Sequence, residues 1–190
     1  MRKIVSKDVE KKKQKRNQII VGGVLIVVMF FSVVGYSFQG TGQKNSDTIS
    51  YNGIQFVNQN GLWYLIGEDI QFSFKYHPEQ INETGIIENT IEDYQGKPLY
   101  ISSENLESRY EISRNLYSTG LVQRIQAACP ENETCEGDIP TINCENNFII
   151  IKISNETLLT QEENCINIQG PQEKLTELTD EFLFKILGVK

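Results

Sequence analysis

The run IIVGGVLIVVMFFSVVGYSF, beginning at Ile19, constrains this chain more than any other feature. About twenty residues without a charge cover, at 1.5 Å per residue, roughly the 30 Å of a bilayer core when helical. A buried core helix is the competing reading, but a helix this apolar on every side suits lipid better. The run therefore predicts a transmembrane helix over residues 19–38, in contact with the lipid bilayer.

Charge orients that helix. Residues 1–18 carry eight Lys or Arg against two acids, which leaves ten basic and 23 acidic residues for the rest of the chain. The positive-inside rule then makes residues 1–18 a cytosolic basic tail and puts everything beyond the helix outside. A cleaved signal peptide is the rival. The apolar run is long for one, and its exit GYSFQGTG has no clear A-x-A pattern, so an uncleaved, single-pass signal anchor in the cell membrane is expected. The KKKQKR stretch would bind phosphates, yet beside a membrane helix it serves topology and headgroup contact. With the exported part acidic, no nucleic-acid partner is expected.

Residues 39–50 are polar and small and read as a flexible linker; residues 51–190 are one domain's length. Strands are expected near 54–57, 62–66 and 70–76, with a hairpin at Asn60-Gly61, where both positions accept positive φ. Residues 77–95 read as loop with a short strand near Ile86. A strand at KPLYIS precedes a helix in SENLESRYEISRNLYSTG, stopped by Gly120. Helical spacing puts Leu106, Tyr110, Ile112, Leu116 and Tyr117 on its inner side, and Glu104, Glu107, Glu111, Arg114 and Asn115 on the outer. LVQRIQAA reads as a strand, and the Ile run of NNFIIIKIS suits a strand buried on both faces. TLLTQEENCINIQG supplies two more. In the closing helix Leu175, Leu178, Phe182, Leu183 and Ile186 share a face, while Phe184 points away and is the candidate partner contact. The expected fold class is α+β: a transmembrane helix, then one mixed, mostly antiparallel sheet of about six strands with two amphipathic helices on one face.

The four cysteines, Cys129, Cys135, Cys144 and Cys165, all follow the apolar run. They lack the close pairs of structural zinc sites and the CxxC of redox catalysts, so two disulfides are expected. Three pairings are open; the preferred one joins Cys129 to Cys135 and Cys144 to Cys165. Sequons at Asn82, Asn132 and Asn155 fall in expected loops as candidate glycosylation sites. The single histidine, His77, rules out metal sites needing two and reads as a solvated strand end. No phosphate loop, dinucleotide fingerprint or nucleophile elbow is present, and no metal or cofactor is implied.

The basic leader, the apolar run, the WY hairpin, ACPENETC, PTINC, NCINIQG and a terminal ILGVK together resemble uncharacterised single-pass exported proteins of small-genome archaea. That resemblance implies no activity. The expectation is an extracytoplasmic module for envelope or cell-surface interaction or assembly, contacting a protein or glycan. The alternative is an extracytoplasmic hydrolase using carboxylates from separate strands.

Overall fold

The computed structural model describes residues 17–18, 20–29, 47–67 and 70–190. Residues 17–18 and 20–29 are helical and are called α1. Among the described residues no helix is long and apolar enough to cross a membrane, which overturns the expected transmembrane helix. Residues 1–16 of the basic tail, 30–38 of the apolar run and 39–46 of the linker lie outside the described residues.

The second unit of the chain, Ser46–Lys190, holds sheets of four, five and two strands among the described residues, in place of the expected single sheet. The first is an antiparallel meander of β1 (Thr48–Tyr51), β2 (Ile54–Gln59), β3 (Leu62–Leu65) and β4 (Phe72–Phe74). Strand β1 begins inside the stretch expected to be linker, residues 39–50, and ends just beyond it. It is paired through an Asn52-Gly53 turn of the same kind as Asn60-Gly61; all four residues have positive φ. Helix α2 (Ile91–Tyr94) follows, opened by Thr90, whose backbone N–H donates to the Asp93 carboxylate at 2.8 Å.

The five-stranded sheet, in order β10-β11-β9-β5-β6, contains β5 (Pro98–Ser103), β6 (Arg124–Ala127), β9 (Phe148–Ile153), β10 (Leu158–Glu162) and β11 (Cys165–Gly170). Three of its four pairings are parallel, correcting the mostly antiparallel expectation. The β5 to β6 crossover runs through α3 (Leu106–Ile112) and the π turn that continues it over Ser113–Tyr117. Strands β7 (Cys129–Pro130) and β8 (Thr141–Ile142) form a short parallel ribbon.

Helix α4 (Leu175–Ile186) joins the two large sheets into one core. Ten of its twelve residues are buried. Its Leu175, Leu178, Phe182, Leu183 and Ile186 belong to one cluster with Ile149 and Ile151 of β9 and Ile166 and Ile168 of β11. Phe184, on the opposite side, is fully buried, its ring 4.4 Å from that of Phe74 and 5.8 Å from that of Phe56. This corrects its assignment as a partner contact: the odd-facing aromatic fastens the helix to the four-stranded sheet.

Helix α3 presents a different side from the expected one. Ile112 and Leu116 are buried, but so are Glu111 and Asn115, whereas Leu106, Tyr110 and Tyr117 are 70 %, 68 % and 54 % exposed. Polar pairing decides the face. The Asn115 amide accepts from Ser73 N–H at 2.8 Å and donates to Ser73 C=O at 2.7 Å, so it takes the place of a neighbouring strand along β4. Phe184→Ala is expected to cost about 3–5 kcal/mol, and Leu106→Ala within about 0.5 kcal/mol, in urea unfolding followed by circular dichroism. Similar losses for both would refute this assignment of the core.

Candidate functional site

Strand periodicity divides the Ile run of β9 between two layers. Ile149 and Ile151 enter the main core, while Phe148 and Ile150 turn outward into a second cluster with Ala128 and Cys165. Strand β11 divides the same way, with Ile166 and Ile168 inward and Cys165 and Asn167 outward. The β7–β8 ribbon and its loop cover part of this outer face.

Two disulfides hold that cover. Cys129–Cys135 closes the PENET loop, and Cys144–Cys165 ties the segment after β8 to the start of β11, the pairing preferred from the sequence. The Cα separations are 5.9 and 4.9 Å, ordinary for disulfides. Lys152, two residues beyond Ile150 on the same strand face, is ion-paired with Glu133 of the loop. Cys129 N–H donates to Pro140 C=O at 2.9 Å, which brings the two ends of the ribbon together.

Between cover and sheet lies a groove of about 330 Å³. Phe148, Ile150 and the Cys144–Cys165 disulfide make an apolar floor; Glu131, Glu133, Lys152, Glu162 and Asn167 stand among its polar lining. Glu162 pairs in register with Cys165, so its side chain rises from the same sheet face. A mixed lining of this kind, apolar below and polar at the rim, is what a binding site requires. The ACPENETC stretch was conspicuous in the sequence, but its partners in β9, β10 and β11 were not, since only the strand register brings them together.

A second cluster is sealed from solvent. Asp180 of α4 is fully buried, and its Oδ2 accepts from Tyr76 N–H at 2.9 Å. Its Oδ1 finds no donor, because its near neighbour is another carboxylate, Glu111 of α3. Burial, and then the Glu111 charge, push the Asp180 carboxyl well above the usual carboxylate range. Burial also pushes Glu111 up, against the pull of Arg114, which is ion-paired with it and donates to Ser73 C=O at 3.0 Å. A proton held on this pair would supply the donor that Asp180 Oδ1 lacks. These carboxyls come from helices, not separate strands, and both are buried. The sequence contained no sign of them, since helical spacing put Glu111 outside.

Nearby, Glu181 accepts from Thr84 N–H and Thr84 Oγ1, both at 2.7 Å, which docks the loop after β4 on α4. The sequon residues Asn82, Asn132 and Asn155 are all exposed, and Asn132 lines the groove. His77 rests against the Trp63 ring with centroids 4.7 Å apart, and burial lowers its pKa. Comparison with protein-family models, curated proteins and solved structures finds no match to this chain.

The buried acid pair gives stability a pH dependence of known sign. A carboxyl whose folded pKa is raised binds its proton more tightly in the folded state, so its contribution falls as pH rises above its unfolded value, near 3.8 for Asp180. The contribution of the pair to the urea midpoint is therefore expected to fall as pH rises from about 4 through its raised folded pKa, and Asp180→Asn should flatten that fall and raise the midpoint at alkaline pH. A variant with an unchanged pH slope would refute protonation of the pair.

Proposed function

We propose that residues 47–190 form an extracytoplasmic interaction module, an envelope or cell-surface assembly protein that meets a protein or glycan partner through the stapled groove. One observation carries the reading: a covalently framed concavity with an apolar floor and a polar rim, on a sheet face that the rest of the fold leaves half covered. Two disulfides favour an oxidising compartment, which agrees with the acidic composition beyond the basic leader. The exposed sequons suit the same compartment and would be modified where the host glycosylates Asn-x-Thr.

The test is a photo-crosslinking residue at Asn167, in the groove, compared with one at Lys97, outside its lining. In native envelopes an adduct is expected from position 167 and none from 97; equal or absent adducts would refute the groove as the contact. In the same preparation the four cysteines should resist alkylation until reduced. Ready alkylation without reductant would refute the oxidising location.

A further inference from the structure

We infer that the groove takes the basic side chain of an extended partner polypeptide, a lysine or arginine whose stem lies on the apolar floor and whose head meets the rim carboxylates. This deepens the groove reading above and rests on it.

Charge complementarity identifies the occupant. Three carboxylates line the groove, Glu131, Glu133 and Glu162, against one cation, Lys152. Lys152 is already ion-paired with Glu133. Neither Glu131 nor Glu162 has an ion-pair partner among the described residues, and both are exposed. An anionic ligand would therefore meet uncompensated negative charge and no free cation.

The floor selects further. Phe148 is 1 % exposed and Ile150 7 %, so they offer a narrow apolar strip and no open aromatic face on which a sugar ring could stack. A strip of that kind suits an aliphatic stem, as when lysine and arginine lay their methylenes on apolar surface with the charge in water. Asn167, also in the lining, can both donate to and accept from the backbone of an extended segment. The volume, about 330 Å³, stands at the lower end of the range for small-molecule sites, enough for one or two side chains. A divalent metal is poorly matched: among the described residues no three His, Cys, Asp or Glu side chains converge.

The experiment uses the full chain and fluorescence anisotropy with a labelled Gly-Lys-Gly-Lys-Gly peptide and its norleucine counterpart. The lysine peptide is expected to bind at least about tenfold more tightly, and Glu131→Gln with Glu162→Gln to weaken it about tenfold. Glu79→Gln with Glu83→Gln removes the same charge from exposed positions outside the groove lining and should change binding less than about twofold. Equal weakening by both pairs would mean attraction to the net charge of −7 and would overturn the inference. Tighter binding of the norleucine peptide, or of tri-N-acetylglucosamine, with protection of position 167 from cross-linking, would overturn the cationic class and leave the groove reading intact. Binding of none of these probes overturns this inference, whereas loss of the native adduct at position 167 overturns the groove reading itself.

Discussion

The contact of Phe184 with Phe56 and Phe74 is the interaction on which the rest of this structure depends. It gives α4 a second apolar side, and a helix with two such sides can be buried only by packing layers on both. The antiparallel meander lies on one side and the mainly parallel sheet on the other, within a single core. Because α4 has almost no solvent face, its polar side chains are buried too and each needs a partner. Tyr76 N–H answers Asp180, Thr84 answers Glu181, and the Thr179 hydroxyl donates to Leu175 C=O. The path of the chain after β4 therefore follows from the needs of the last helix.

The outer face of the five-stranded sheet poses the opposite problem. Its cover is a ribbon of two-residue strands, far below the size at which paired strands are stable alone. The disulfides supply what the ribbon's own burial cannot, each on the order of 2–4 kcal/mol in the chain-entropy account. Covalent framing also lets the cover remain partial, since it need not close over the sheet to stay in place. The groove is the space left by that incomplete closure, walled by residues from the ribbon loop, β9, β10 and β11.

Local chemistry was legible wherever neighbours in sequence are neighbours in space. The Asn60-Gly61 hairpin, the stop at Gly120, the strands around Arg124–Ala127 and Phe148–Ile153, and the closing helix are all formed. The Asn52-Gly53 hairpin carried the same signal but fell beside a stretch read as linker. The unbroken Ile run marked a strand buried on both faces, and that pattern is also the mark of parallel pairing. Reading it so would have anticipated the mainly parallel sheet. Helix α3 departs from its periodicity because Leu106 and Tyr110 are apolar while Glu111 and Asn115 are polar, and periodicity counts hydrophobicity, not the hydrogen bonds that join Asn115 to Ser73 or the ion pair that joins Glu111 to Arg114.

By itself the sequence determined the α+β class, the turns, most strand positions and the presence of two disulfides, because each rests on conformational preference, side-chain alternation or redox chemistry within short range. Only the tertiary structure decided that the strands divide between separate sheets, that Phe184 faces a second layer and that two carboxyls share a buried site. It likewise decided that no described helix is long enough to cross a membrane. The groove belongs with these later decisions. Its loop is written in ACPENETC, but its floor and far wall come from register between strands about twenty residues apart, and register is settled by packing.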